Sequence, residues 1–179
     1  MKGKGANFVR DWKQYKNGFG SVSKKNYWIG LEKLHDLTDS GSYGLQIMLR
    51  MNGGEVKVVE YDSFRVAGEN ENYKLWVSGF RPGGSGLADR LSYHNGQPFT
   101  TYDKDNDPHA TENCSRASGS AGWWFNQCYT SHLNHPSGPA WVVWNQYEEE
   151  STMILIKSKS NQYYFNANTK QISNNSKYT

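Results

Sequence analysis

The chain has 179 residues, a net charge of +3 and only 36% hydrophobic residues, although aromatic residues alone make up 15%. This length suits one domain with a real core, which large aromatic rings can build from few residues. The mild, unclustered charge argues against nucleic acid as a partner. No stretch approaches the roughly 20 apolar residues of a membrane span, and the first residues lack the apolar centre of a signal peptide.

The first third of the chain predicts two short helices and a strand. Near-helical spacing of Phe8, Trp12 and Tyr15 predicts a helix within residues 7–16. A second helix is expected from Gly30 to about Asp39. From residue 43 the pattern changes to strict alternation, which is typical of a half-buried strand. The apolar face of that strand would be formed by Tyr43, Leu45, Ile47, Leu49 and Met51.

An antiparallel sheet follows from the next turns. The sequence Asn-Gly-Gly at 52–54 predicts a tight hairpin turn into a return strand from Val56. A polar turn at 69–72 leads to another alternating strand at 73–79. Residues 141–144 and 153–158 are expected to form two final strands that close the same sheet. The predicted fold class is therefore α+β.

Residues 80–137 carry few regular signals, yet they hold the most distinctive residues of the chain. A loop region of this length inside a compact domain favours a functional role. Asp103, Asp105 and Asp107 alternate within it. Alternating carboxylates on an irregular loop suit a hard cation with many oxygen ligands, which favours calcium (Ca²⁺). The alternative is a plain acidic turn, because Asp and Asn favour turns in any case.

Other metal sites fit this loop less well. An EF-hand fails because Pro108 takes the place of its glycine and Cys114 the place of its bidentate glutamate. Zinc would find too few soft ligands if the cysteines are paired.

The two cysteines, Cys114 and Cys128, bracket a tryptophan pair beside the acidic loop. Two cysteines are often free thiols, but their position favours a disulfide that braces the loop. Such a bond would contribute roughly 3 kcal/mol in the chain-entropy model. It also favours an extracellular location, with any secretion signal outside this chain.

The ordered motifs of the chain resemble one known family. They include D-x-D-N-D, N-C, G-W-W and C-x-x-x-x-L-N between residues 103 and 134, F-V-R-D-W-K-Q-Y at 8–15, Y-W-I-G-L at 27–31 and W-V-V-W at 141–144. This order is similar to that of the fibrinogen C-terminal globular domain family, which includes ficolin-like recognition domains. The resemblance implies a single domain over 1–179, with the strongest match at 8–157 and a peripheral tail at 161–179.

The resemblance also implies a ligand set for calcium. Asp105 and Asp107 would supply side chains, and His109 and Thr111 would supply backbone carbonyls. Asp103 would orient the loop without touching the ion. This chain has one more residue between Asp107 and Cys114 than the usual family pattern.

In sugar-recognising members, a pocket for acetyl groups lies beside the calcium loop. The matching positions here are Ser118, Gln127, Cys128, Tyr129 and Tyr147, and the peptide Gln127–Cys128 is often cis in the family. The tryptophans Trp123, Trp141 and Trp144 are expected to belong to the core. A family loop before Trp141 is shortened here to residues 135–139, so His132 and His135 are candidates to replace the missing pocket wall.

Three classes of function then compete. The favoured one is a calcium-dependent, lectin-like recognition module for acetylated sugars, used extracellularly and in innate immunity. The alternative is a protein–protein module that binds a receptor or a peptide terminus. The neutral pocket residues favour the first, and the shortened loop weakens that preference. We expect no enzyme, because no nucleophile–base pair stands out, and we expect any oligomer to form through regions outside this chain.

Overall fold

The computed structural model describes residues 2–3, 7–24, 26–51, 53–141 and 149–158, with backbone only at 2–3, 149–153 and 155. Its helices are α1 (Trp12–Asn17), α2 (Leu31–Asp39) and α3 (Cys114–Ala117), with short 3-10 helices at Glu69–Glu71 and Ser92–His94. Its strands are β1 (Lys2–Gly3), β2 (Phe19–Ser21), β3 (Asn26–Trp28), β4 (Tyr43–Met51), β5 (Val56–Val66), β6 (Leu75–Arg81), β7 (Ser131–His132), β8 (Ala140–Trp141) and β9 (Glu149–Ser158). None of these helices is long and apolar enough to cross a membrane.

Five strands form an antiparallel sheet in the order β1-β9-β4-β5-β6. The predicted meander is confirmed, since β4, β5 and β6 are neighbours and a turn with positive φ at Gly53 and Gly54 joins the first two. On β4, the predicted inner face is buried at Leu45, Ile47, Leu49 and Met51. The alternation of the sequence thus correctly gives the side of the sheet that faces the core.

Two small sheets differ from the sequence prediction. Strands β2 and β3 pair with each other in a stretch between the two predicted helices for which no strand was predicted. Strand β8 pairs with β7, so the prediction that Trp141 helps to close the main sheet is wrong. The Trp141 ring is buried and its Nε1 donates to Ala88 O at 3.1 Å, which holds this strand against the loop region. Strand β9 does join the main sheet as predicted, and residues 142–144 lie outside the described residues.

The core lies between the sheet, α1, α2 and the loop region. Asp11 begins α1 as its N-cap, with Gln14 N donating to Asp11 Oδ1 at 2.7 Å. The short helix then carries Tyr15 into a buried group of rings. Ring centroids in this group are 5.0–6.2 Å apart, and its members are Tyr15, Trp28, Phe99, Trp123 and Trp124. The predicted core role of Trp123 and Trp141 is confirmed, since each is 1% exposed.

Gly122 is needed at a close contact inside this ring cluster. A Cβ there would lie 2.6 Å from Phe99 Cε1 and 2.8 Å from Tyr15 Cε2, and both rings are fully buried. We expect Gly122→Ala to lower the free energy of unfolding by about 2 kcal/mol, because the rings must leave their packed positions. Urea unfolding measures the loss. Gly41→Ala is the control, because its Cβ would make only an ordinary contact with Tyr43; equal losses in both variants would contradict the steric argument.

The outer edge of β6 is covered by a loop at its first residues. Leu75 N donates to Gln97 O at 3.0 Å, and Gly96 N donates to Leu75 O at 2.7 Å. Val77 N donates to Asn95 Oδ1 at 2.8 Å. These bonds take up backbone groups that an edge strand otherwise offers to a further strand.

Candidate cation loop and recognition surface

The acidic loop begins on a buried, fixed base. Thr100 and Thr101 are fully buried. Thr101 N donates to Lys104 O at 2.9 Å, and Asn106 Nδ2 donates to Phe99 O at 2.7 Å. Asn106 N also donates to Thr100 Oγ1 at 3.1 Å. The turn that carries the carboxylates is therefore held to the core by its own backbone and by Asn106.

The carboxylates of Asp105 and Asp107 lie together on this turn. Asp107 accepts two backbone N–H groups, from His109 at 3.1 Å and from Cys114 at 3.0 Å. Asp105 Oδ1 accepts Asp107 N at 3.3 Å. Burial raises the pKa of Asp107 most; its two backbone bonds oppose this, and the neighbouring Asp105 carboxylate raises the pKa further. Two carboxylates that repel each other in this way suit a bound cation.

The available donors fit calcium. Among the described residues, no three His, Cys, Asp or Glu side chains come together around one point, so a cation would need carbonyls and water as well. Within the same residues, no backbone N–H donates to His109 O or to Thr111 O. The His109 ring is already engaged, because its Nδ1 accepts Glu112 N at 3.2 Å. Hard oxygen donors with water favour calcium over zinc, and the individual carbonyl ligands stay a prediction.

Asp103 ties the loop to α1. Its Oδ1 accepts Thr101 Oγ1 at 2.7 Å and the backbone N–H of Trp12 at 3.0 Å. The carboxylate therefore lies at the N-terminus of α1. Its position agrees with a role in orienting the loop.

The predicted disulfide is confirmed. Cys114 and Cys128 are bonded, with their Cα atoms 5.4 Å apart. Cys114 begins α3, whose N-cap Asn113 accepts Arg116 N at 2.9 Å and donates from Nδ2 to Thr101 O at 3.0 Å. The disulfide thus joins the acidic loop to the segment that contains Gln127 and Tyr129.

That segment is held by two residues that sequence reasoning did not single out as functional, Tyr93 and His94. The Tyr93 hydroxyl donates to Gln127 O at 3.1 Å and accepts Gln127 N at 3.3 Å. The backbone carbonyl of Tyr93 accepts Asn126 Nδ2 at 3.1 Å. The peptide Gln127–Cys128 is cis, as the resemblance implies. A Tyr-His pair has no local signature for such contacts, because they span more than 30 residues.

His94 joins both flanks of the same segment. Its Nδ1 lies 2.6 Å from Trp124 O, and its Nε2 lies 3.4 Å and 3.2 Å from the backbone N atoms of Thr130 and Ser131. Because Nε2 faces two donors, it must be the acceptor, so Nδ1 carries the proton. Burial lowers the pKa of His94 to about 4. The imidazole is therefore neutral at physiological pH.

A partly exposed aromatic surface lies beside the cis peptide. The half-buried Tyr129 ring packs on His132 and His135, with centroids 5.3 Å and 6.3 Å away. His132 is fully buried beneath it, whereas His135 is half-exposed and borders it. Of the two candidates for the pocket wall, His135 therefore has the better position.

The remaining predicted pocket residues are placed as follows. Ser118 is nearly buried, and its neighbour Gly119 lies so close to Pro136 that a Cβ would be 2.7 Å from Pro136 Cγ. Gln127 is exposed, and Cys128 is half-buried. Tyr147 lies outside the described residues. Gly119 next to Ser118 thus contacts the short loop at 135–139 through Pro136, and Tyr129 contacts the same loop through His135.

The family of the fibrinogen beta and gamma chains, C-terminal globular domain, matches residues 1–174. The chain belongs to this family. Its α+β fold is confirmed by solved relatives, and this fibrinogen-like domain is a binding module rather than an enzyme. The order of the motifs predicts this family, and the lack of a nucleophile–base pair agrees with a module that is not an enzyme.

Individual relatives agree with the assignment. The chain is 39% identical over 164 residues to tenascin of Gallus gallus, covering 87% of this chain and 9% of that protein. It is 40% identical over 127 residues to ficolin-3 of Homo sapiens, covering 71% of this chain and 41% of that protein. The chain thus spans less than half the length of these curated relatives. A solved lamprey fibrin D-dimer, complexed with the peptide ligand Gly-His-Arg-Pro-amide, matches 99% of this chain and 63% of its own, with 25% identity and a TM-score of 0.77.

Proposed function

We propose that this fibrinogen-like domain is a calcium-dependent extracellular module that recognises acetylated sugars. One observation carries the proposal: the acidic loop meets the segment that contains Gln127 and Tyr129 at Cys114. We call this segment the recognition segment. The Cys114 N–H is bound by Asp107 Oδ2 at 3.0 Å, and the Cys114 sulfur is bonded to Cys128, between Gln127 and Tyr129. A cation that orders Asp107 would therefore stabilise the recognition segment through one hydrogen bond and one disulfide.

The chemistry of the surface supports an acetyl group as the ligand. Tyr129 and His135 offer ring faces to a methyl group, and the Tyr129 hydroxyl and Ser118 offer donors to a carbonyl oxygen. The predicted pocket residues carry no carboxylate. A neutral aromatic pocket suits an acetamido group better than a charged peptide amino terminus.

Peptide binding is the second candidate. The similarity to the lamprey fibrin structure with its bound Gly-His-Arg-Pro-amide favours it. The short loop at 135–139 also leaves less pocket wall than the family usually has. Under this alternative the calcium loop would have the same role, and the ligand would be a protein terminus or a receptor.

The proposal also includes the compartment in which the protein acts and the way in which its copies assemble. The disulfide is typical of oxidising, extracellular compartments. Innate immune recognition is the setting that sugar-binding relatives suggest. Because single sugar sites bind weakly, we expect avidity from oligomers formed through regions outside this chain.

Thermal unfolding with calcium or with chelator tests the proposal, each with no ligand, with N-acetylglucosamine or with Gly-His-Arg-Pro-amide. We expect calcium to raise the melting temperature, and the sugar to raise it further only when calcium is present. A calcium effect with a peptide shift and no sugar shift would select the second candidate. No calcium effect would contradict both.

Asp107→Asn should remove most of the calcium effect, because it deletes one of the two carboxylate charges at the loop. At calcium concentrations a hundred times the dissociation constant, the lost stabilisation would be about 2.7 kcal/mol. Asp36→Asn is the control, since it removes an exposed carboxylate on α2. A calcium shift that survives in Asp107→Asn would place the ion elsewhere.

A further inference from the structure

The cation loop carries a lysine between two of its aspartates. Lys104 lies between Asp103 and Asp105 in the sequence. An ammonium group beside a calcium site would repel the ion and compete for its carboxylates. The position of the Lys104 ammonium therefore affects how tightly the loop would bind a cation.

In the structure, Lys104 is held by α1. Its Nζ lies 3.8 Å from the centroid of the Trp12 ring, which is the arrangement of a cation–π contact. The backbone N–H of Trp12 also donates to Asp103 Oδ1 at 3.0 Å. One residue of α1 thus contacts both of the loop residues that directly precede Asp105.

Trp12 is itself fixed on its far side. Its Nε1 donates to Glu69 Oε1 at 3.0 Å, and its ring packs on Tyr73 with centroids 5.6 Å apart. The indole therefore cannot turn away from Lys104 without losing these contacts.

Glu69 adds an electrostatic reason for Lys104 to stay on this side. Lys16 forms an ion pair with Glu69. The hydrogen bond from Lys16 lowers the pKa of Glu69 most, the bond from Trp12 lowers it next, and the charge of Lys104 contributes as well. Glu69 is thus a carboxylate outside the loop whose charge attracts the Lys104 ammonium.

We propose that Trp12 is a positioning residue for the cation site. Its ring holds the Lys104 ammonium on the α1 side of the loop and leaves the Asp105 and Asp107 carboxylates to the metal. Its main-chain N–H donates to Asp103 and holds that carboxylate at the start of α1. This inference rests on the calcium binding of the proposed function.

Calcium titration of the full chain by isothermal calorimetry tests the role. We expect Trp12→Leu to raise the calcium dissociation constant about tenfold, because Lys104 is then free to approach the carboxylates. Trp12→Phe keeps a ring face and should stay near the wild-type value. In a Lys104→Gln background, Trp12→Leu should change the affinity by less than about twofold, because no charge remains to be held. Thermal unfolding in chelator checks that each variant is folded.

Each other outcome overturns the inference in its own way. Equal calcium affinity in wild type and Trp12→Leu would remove the positioning role and leave calcium binding intact. An equal loss in both lysine backgrounds would make Trp12 a structural residue only. If the wild-type chain binds no calcium, the inference and the proposed function fall together.

Discussion

Replacing His94 with alanine is expected to lower the free energy of unfolding by about 3 kcal/mol. The variant leaves three backbone groups without their His94 partner: Trp124 O and Ser131 N–H, which are buried, and Thr130 N–H, which is partly buried. Each unsatisfied group costs about 1 kcal/mol or more. Urea unfolding at pH 7 measures the loss.

His35→Ala is a matched control, because His35 is half-buried and its Nδ1 lies 3.0 Å from a single backbone atom, Val66 O. We expect it to cost about 1 kcal/mol. If both variants lose the same amount, His94 has no special part in joining the flanks of the recognition segment.

The same histidine should make stability depend on pH. In the unfolded chain His94 takes up a proton at its ordinary pKa of 6.5, whereas in the folded protein burial lowers the pKa to about 4. The contribution of neutral His94 to the free energy of unfolding is therefore fully present above pH 6.5. It is lost as the pH falls from 6.5 to about 4, and the free energy of unfolding then stops changing through this group. The full contribution is about 3 kcal/mol. We expect His94→Gln to flatten this part of the stability curve relative to the wild-type protein; a curve unaffected by His94→Gln would refute the assignment.

Removal of the disulfide is the second large effect. The variant with Cys114→Ala and Cys128→Ala is expected to be less stable by about 3 kcal/mol, because a cross-link over 14 residues restricts the unfolded chain. Alanine is chosen because Cys114 is fully buried and a serine hydroxyl would need a partner there. Thermal and urea unfolding measure the change.

The disulfide variant also bears on the coupling between loop and surface. If Cys114 carries that coupling, calcium should still bind the variant but should no longer enhance the binding of N-acetylglucosamine. The wild-type protein in reductant provides a control with unchanged side-chain composition. A free energy of unfolding within about 1 kcal/mol of the wild-type value would contradict the predicted stabilisation by the disulfide. Calcium-dependent sugar binding in the variant would contradict the role of Cys114 in the coupling.

The sequence allowed the prediction of features with local signals. The alternation at 43–51 correctly gave the buried face of β4, because the period of a strand places every second residue on one side. The glycines at 53 and 54 correctly gave the hairpin, because the turn needs positive φ. The cysteines were paired correctly from their position beside the acidic loop.

Features that depend on distant partners escaped prediction. The apolar run that begins at Trp141 signals a strand but not its neighbour, and that neighbour is the short β7. No local pattern distinguishes His94, because the backbone atoms that it joins lie 30–37 residues away in the sequence. The contact between Lys104 and Trp12 likewise crosses the domain from the loop to α1. In each case the decisive contact is tertiary and leaves no periodic pattern.

The covered edge of β6 bears on how such a domain behaves when many copies are held close together. A strand with open backbone groups can recruit the same strand of another copy and start aggregation. Here the groups of Leu75 and the N–H of Val77 are already occupied by residues 95–97 of the same chain. Many copies could therefore be displayed side by side on one assembly, and that end of the sheet would not act as a template for fibres.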